Sequence, residues 1–305
     1  VQTTGLGTIH PMAADPTHET LAGELADLRT VMLIGAMDTG KTTFARRLAQ
    51  AALAGGRRVA FVDADIGNST VGPPTCVGLR LLDPAEPDAA LERADALHFV
   101  GAVTPDRHIL QQVIATAALA ERGREAADLV VIDTSASVSG VIGETLKYHK
   151  MELCRPDRVV ALQRGSELEP LVGMLRRFFS AEVTVLTTEP GIATVGPVER
   201  SAQRTAKLKE AFAEPLERWR VRPTVFAPTL PAGLDLGRLD GMLVGIQDGD
   251  GHCLGLGRLE YDDGILRVLT NAGEGMQGLR LGSVRIDPDG FECRPVNLRE
   301  LIFGV

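Results

Sequence analysis

Residues 35–42 read Gly35-Ala36-Met37-Asp38-Thr39-Gly40-Lys41-Thr42, and this G-x-x-x-x-G-K-T run constrains the fold more than any other segment. A loop of this kind works only between a buried strand and the N-terminus of a helix, where inward-pointing backbone N–H groups and the helix dipole meet an anion. The flanks meet that demand. Val31-Met32-Leu33-Ile34 is an apolar run suited to a buried parallel strand. Residues 41–54, rich in Ala, Leu and Arg, read as a helix that Gly55-Gly56 ends. The expected ligand is a nucleoside triphosphate. Gly35, Asp38, Thr39, Gly40, Lys41, Thr42 and Thr43 form the expected phosphate cradle, with Lys41 on the β/γ-phosphates and the Thr42 hydroxyl on Mg²⁺.

The remainder of the chain alternates in the same way. Strands are expected at 59–62, 97–100, 129–132, 158–162 and 183–186. Helices are expected at 17–28, 106–121, 143–154 and 167–178, the second with Ile109, Val113, Ile114 and Ala117 on one face. This is the signature of an α/β domain, a parallel sheet covered by helices. After residue 223 glycine becomes frequent and helical periodicity fades. Short apolar runs at 242–246, 255–257, 265–269 and 283–286 lie between the hairpin dipeptides Asp248-Gly249, Asp250-Gly251, Asp263-Gly264 and Asp289-Gly290. A small C-terminal all-β domain, a barrel in form, is the expectation. The organisation is thus a lead-in over 1–28, a P-loop domain over 29–222 and a β domain over 223–305.

Composition narrows the setting. Four cysteines, Cys76, Cys154, Cys253 and Cys293, stand far apart and form no C-x-x-C, so reduced core thiols are expected rather than a zinc site. No run reaches transmembrane length and the first residues lack a secretory pattern, so a cytoplasmic protein without membrane contact is expected. A net charge of −8 argues against a surface broadly coated by nucleic acid. A local basic stretch remains at 200–222, with Arg200, Arg204, Lys207, Lys209, Arg218, Arg220 and Arg222 against Glu210, Glu214 and Glu217.

Ligands of an open α/β sheet lie at the carboxyl ends of its strands. Two expected strands end there in carboxylates, at Asp63-Ala64-Asp65 and at Asp133-Thr134. Asp65 and Asp133 are the candidates to hold Mg²⁺ with Thr42, and Asp65 to accept a proton from an attacking nucleophile. The guanine-reading N/T-K-x-D segment of GTPases is absent. A kinase, an ATP-driven ligase and an ATPase switch remain open on these residues alone.

Longer matches single out one family. Phe61-Val62-Asp63-Ala64-Asp65-Ile66-Gly67-Asn68-Ser69 with Pro73-Pro74-Thr75-Cys76-Val77 resembles D-x-D-x-G-Q-S…P-P-G-x-[VI] of the polynucleotide 5′-hydroxyl kinases of RNA processing and their archaeal relatives. Phe99-Val100-Gly101-Ala102-Val103-Thr104-Pro105…His108 resembles F-V-G-x-x-[ST]-P-x-x-H. Ile132-Asp133-Thr134…Gly140…Leu146-Lys147…Lys150-Met151-Glu152-Leu153…Pro156-Asp157-Arg158 resembles the archaeal substrate clasp, and Arg200-Ser201-Ala202-Gln203-Arg204 the arginine-bearing lid. The resemblance is close over 28–215 and looser beyond.

It implies an ATP- and Mg²⁺-dependent kinase acting on the 5′-hydroxyl end of RNA or DNA. Lys41, Asp65, Arg200 and Arg204 would be catalytic, with a helical lid near 197–215, and Thr134, Ser135, Lys147 and Lys150 would contact the acceptor. Two departures stand out: Asn68 replaces the usual Gln, and Thr134-Ser135-Ala136-Ser137 replaces T-x-G-W, whose Trp stacks on a base. A non-catalytic ATP-bound subunit and a small-metabolite kinase or ligase are the alternatives. Trp219, the only Trp, is expected to be a packing residue.

Overall fold

A computed structural model describes residues 17–303 apart from 88 and 290; the first part of the expected lead-in, 1–16, and Gly290 of the last hairpin dipeptide lie outside the described residues. The chain runs α1 (His18–Leu25), β1 (Thr30–Gly35), α2 (Lys41–Ala54), β2 (Val59–Ala64), β3 (Cys76–Leu82), β4 (Ala96–Phe99), α3 (Ile109–Ala126), β5 (Leu129–Thr134), α4 (Gly140–Cys154), β6 (Arg158–Gln163), α5 (Glu169–Phe178), β7 (Glu182–Thr187) and α6 (Pro197–Ala211). It continues through β8 (Glu217–Arg220), β9 (Met242–Gln247), β10 (Cys253–Asp262), β11 (Ile265–Thr270), β12 (Gly278–Ile286), β13 (Cys293–Pro295) and α7 (Leu298–Phe303).

Five strands, ordered β2-β5-β1-β6-β7, pair in parallel. Because successive strand residues point to opposite faces, β1 divides its side chains between two cores. Met32 and Ile34 pack under α3, α4 and α5; Val31 and Leu33 pack under α1 and α2 with Phe44 and Leu48. Burial on both faces is why these strands read as continuous apolar runs.

The sheet departs from the expected parallel form at one side. β3 pairs antiparallel with β2, and β4 antiparallel with β3. The β3 strand escapes a periodicity reading because Gly78 and Arg80 interrupt its apolar residues. Gly78 is required where it stands: a Cβ there would lie 2.3 Å from the Val71 carbonyl oxygen. The buried face of α3 also differs. Gln112, Val113, Thr116, Ala120 and Gly123 face inward, whereas Ile114 is 45% exposed. The helix is rotated so that Gln112 Nε2 donates to the Ala64 carbonyl at 2.8 Å, a buried contact that an apolar count cannot weigh.

The antiparallel strands form no separate closed barrel among the described residues. Their order β8-β11-β10-β9-β12-β13 is open, and β10 joins the core sheet through Cys253 opposite Leu97 of β4. Asp263-Gly264 makes the two-residue hairpin between β10 and β11, with φ of 49° and 74°, the left-handed pair that a type I′ turn needs. All four cysteines are free. Among the described residues no helix is long and apolar enough to cross a membrane.

Candidate active site

The carboxyl ends of β1, β2 and β5 open on one cavity of about 210 Å³. Its walls include Asp38, Thr39, Gly40, Lys41, Thr42 and Thr43 from the loop and α2, Asp63, Asp65 and Asn68 from the end of β2, Asp133, Thr134 and Ala136 from the end of β5, and Ile192 and Arg200 from above. Two glycines make the loop possible. A Cβ on Gly35 would meet the Leu162 carbonyl oxygen at 2.7 Å, and Gly40, at φ 87°, turns the chain into α2 in the left-handed region.

Lys41 is buried, and its Nζ donates to the Ala36 carbonyl at 2.8 Å, closing the loop on itself. Burial lowers its pKa, against the opposing charges of Asp133, Asp65 and Asp38. Thr42 Oγ1 donates to Asp133 Oδ2 at 2.6 Å. The other oxygen, Asp133 Oδ1, is buried without a hydrogen-bond partner. Burial raises the Asp133 pKa to about 6, and the ammonium of Lys41 and the Thr42 hydrogen bond counter that rise. An orphaned buried carboxylate oxygen beside a threonine hydroxyl is a hard-oxygen donor set that fits Mg²⁺.

The two aspartates of Asp63-Ala64-Asp65 divide their work. Asp63 accepts from the backbone N–H groups of Asp65 at 2.9 Å, of Val71 at 2.9 Å and of Thr70. It therefore shapes the loop after β2, and burial with the charges of Asp133 and Asp65 raises its pKa to about 7. Asp65 turns Oδ1 to the N–H groups of Gly67 and Asn68, both at 3.0 Å. Its Oδ2 accepts no hydrogen bond among the described residues, and Asp65 lines the cavity.

Arg200 and Arg204 lie four residues apart on one face of α6. Arg200 Nη2 meets Asp38 at 2.8 and 2.6 Å, and Arg204 Nε donates to the Gly67 carbonyl at 3.0 Å. Lys207 Nζ reaches the Ser69 carbonyl. The helix thus lies across the loop after β2 with three cations turned inward. Further along the helix, Leu208 and Phe212 at its C-terminal end join a cluster with Val284 and Ile286 of β12 and with Phe291. The basic stretch 200–222 is consequently not one surface: Arg218 is paired with Glu260 at 2.8 Å in the antiparallel sheet, and Arg220 and Arg222 are exposed beyond the lid.

The expected acceptor contacts separate. Thr134 and Ala136 line the cavity, but the Thr134 hydroxyl donates to the Leu33 carbonyl at 2.7 Å. Lys147 and Lys150 are fully buried, so neither offers an exposed ammonium to a phosphate. Lys147 Nζ donates to the Ser135 carbonyl at 2.8 Å, which fixes the loop after β5 from beneath. Lys150 Nζ is buried without a partner, and burial pushes its pKa down to about 8. Amphipathic spacing on α4 could not reveal this, because the apolar stem of a lysine packs like a core residue. Asp38 was legible only as a loop residue; its bond to Arg200 joins positions 162 residues apart.

Residues 35–214 match the family described as mRNA cleavage and polyadenylation factor CLP1 P-loop. The chain is similar to the polyribonucleotide 5′-hydroxyl-kinase of Pyrococcus horikoshii, with 27% identity over 86% of this chain and 87% of the relative. It is likewise similar to that of Thermococcus kodakarensis, with 28% identity over 89% of this chain and 92% of the relative. Among solved structures, the wild-type Clp1p–Pcf11p complex contains a chain of the same fold, with a TM-score of 0.65 and 12% identity over 88% of this chain and 77% of that one.

Proposed function

Because the chain belongs to the family described as mRNA cleavage and polyadenylation factor CLP1 P-loop, we propose that it transfers the γ-phosphate of ATP to the 5′-hydroxyl end of a polynucleotide, RNA or DNA. One observation carries the reading. A P-loop lysine, the Thr42–Asp133 pair, the open oxygen of Asp65 and the lid Arg200 all face one cavity, beside the loop over 134–137. Little covalent help is needed for phosphoryl transfer, which runs on alignment and charge stabilisation.

The 5′-oxygen attacks the γ-phosphorus in line, the bond to the β–γ bridging oxygen breaks, and ADP leaves. Asp65 takes the proton from the 5′-hydroxyl through Oδ2. Lys41 exchanges the Ala36 carbonyl for phosphate oxygens, and Arg200 and Arg204 neutralise charge on the transferring group. Thr42, Asp133 and Asp65 are the residues that would hold Mg²⁺, whose charge offsets that of the phosphates. Thr134 and Ser135 support the acceptor loop, Lys147 holds it from below through the Ser135 carbonyl, and Lys150 lies buried beneath it. Residues 29–222 carry this chemistry, with the lid near 197–215, and residues 223–305 seat the lid. The four free thiols fit a reducing cytoplasm.

The test is transfer of label from γ-labelled ATP to matched RNA and DNA oligonucleotides bearing either a 5′-hydroxyl or a 5′-phosphate. Label on the hydroxyl ends alone is expected. Phosphate released to water, or label on a small alcohol with none on either oligonucleotide, would overturn the reading.

A further inference from the structure

A carboxylate inside an anion-binding loop needs a reason. Asp38 sits in the middle of the phosphate loop, at φ 57°, a left-handed conformation that Asp tolerates better than most residues. A bare negative charge there would repel the phosphates that the loop exists to hold. The charge is not bare: both carboxylate oxygens accept from Arg200 Nη2, at 2.8 and 2.6 Å. The same Nη2 also donates to the Val195 carbonyl at 2.8 Å, and Val195 N approaches Asp38 Oδ2 at 3.4 Å. Both side chains are largely buried, at 16% and 14% exposure, so solvent screens the pair weakly.

One detail gives this arrangement its direction. Every side-chain hydrogen bond that Arg200 makes among the described residues uses Nη2. Nε and Nη1, the remaining donors of the guanidinium, carry none, and Arg200 lines the same cavity as Lys41 and Thr42. A guanidinium is a rigid planar fork. Holding Nη2 on three acceptors therefore limits where the remaining donors can lie.

We propose that Asp38 is a positioning residue that holds the lid Arg200, with Nη2 bound to the phosphate loop and the remaining guanidinium donors presented to the transferring phosphoryl group. Asp38 is then no nucleotide ligand in its own right. Its carboxylate ties the lid to the loop, so that arrangement of the lid and occupation of the loop are one event. The inference deepens the kinase reading above and rests on it for its kinetic arm.

Asp38→Asn keeps the shape and removes the charge; Arg200→Gln does the same from the lid side. Turnover with a 5′-hydroxyl oligonucleotide is expected to fall roughly 10- to 100-fold in each, below the full value of an arginine finger. KM for ATP should stay level or fall in Asp38→Asn, since a negative charge leaves the loop. The double variant should be no more than about threefold slower than the worse single one, the non-additivity of two residues acting as a unit. Hydrogen exchange of the α6 amides without nucleotide should quicken equally in both single variants. A raised ATP KM at unchanged kcat, multiplying losses, or α6 exchange unchanged in Asp38→Asn would each overturn the proposal. If the unaltered protein labels no oligonucleotide, the kinase reading falls, and the exchange measurement still decides whether Asp38 holds the lid.

Discussion

The parallel core and the antiparallel sheet treat charge in opposite ways. Among the described residues, all five buried lysine and carboxylate side chains, Lys41, Asp63, Asp133, Lys147 and Lys150, belong to the core that carries the P-loop. From β8 to α7 no lysine, arginine or carboxylate is buried, and the core of that region is Leu, Val, Ile and Met with Phe226. Burying a charge costs several kcal/mol unless it is compensated. A fold that accepts this cost five times at one place, and nowhere else, has concentrated its chemistry there. The antiparallel region contributes shape: it seats the lid through Leu208 and Phe212 and leaves the cations of the lid free to point at the loop after β2.

The sharpest way to break the comparison is to neutralise the charged core. Lys41→Ala and Asp65→Asn are each expected to lower turnover by about 100-fold or more, the scale of losing a preorganised electrostatic group, while circular dichroism and melting show an intact fold. An active Asp65→Asn enzyme would remove that residue from the proton-accepting role.

The next test crosses the boundary. Leu208 is fully buried between the lid and the antiparallel sheet. Leu208→Ala leaves a cavity worth about 2–5 kcal/mol in a rigid core, but α6 can swing locally, so part of that cost appears as a loosened lid. We expect kcat to fall about tenfold, or 1.4 kcal/mol, with the KM for ATP moved less. A lower melting temperature with kcat unchanged would reduce the antiparallel region to a stability element.

How much of this could be read from the chain depends on range. The strand–loop–helix around Gly35–Thr42 was legible because its residue spacing and its flanking strand and helix are continuous in sequence. So was the Asp263-Gly264 hairpin, where turn chemistry fixes the backbone. β3 was not legible, since its pairing with β2 is only visible once Gly78 is seen against Val71. Gln112 is polar by composition yet buried by a hydrogen bond to a strand it does not adjoin in sequence. The same holds in the site. Asp63, Asp65 and Asp133 are visible as strand-end carboxylates, but which oxygen is saturated and which is free is decided by backbone N–H groups up to eight residues away and by Thr42. Lys147 and Lys150 carry their meaning in burial, which no spacing rule reports.

A smaller effect concerns the cost of the buried carboxylates. The Asp133 pKa stands at about 6, raised chiefly by burial, and that of Asp63 at about 7, raised by burial and by its acidic neighbours. Both lie above the unfolded carboxylate value of about 4. The fold therefore favours their protonated forms, and stability from this pair is present below about pH 4 and lost as pH rises toward 7. A divalent cation on Asp133 competes with its proton, so the metal recovers that loss only where the group ionises. Melting with and without Mg²⁺ should coincide near pH 5 and separate by a few degrees above pH 7, a stabilisation of about 1–2 kcal/mol on the linkage scale. Asp133→Asn should abolish the separation. A Mg²⁺ effect independent of pH would place the ion elsewhere.

The smallest expected effect tests the uncharged side of the comparison. Trp219 is the only tryptophan, and a polynucleotide enzyme lacking an aromatic in its 134–137 loop invites the thought that Trp219 supplies the stack. Its position argues otherwise. It lies on β8, paired with Val268 of β11, and its indole covers Gly273 so closely that a Cβ there would meet Nε1 at 2.2 Å. Trp219 is 39% exposed and stands between the exposed Arg218 and Arg220 of β8. It does not line the P-loop cavity. Trp219→Ala should therefore cost about 1–3 kcal/mol of stability through lost apolar contact, read by urea unfolding. Turnover and the KM for 5′-hydroxyl RNA and DNA oligonucleotides should stay within about twofold, below the 1–3 kcal/mol that one stacked base contributes. A tenfold rise in acceptor KM with stability preserved would make the antiparallel sheet part of the acceptor path and break the division between a charged core that reacts and an apolar sheet that supports.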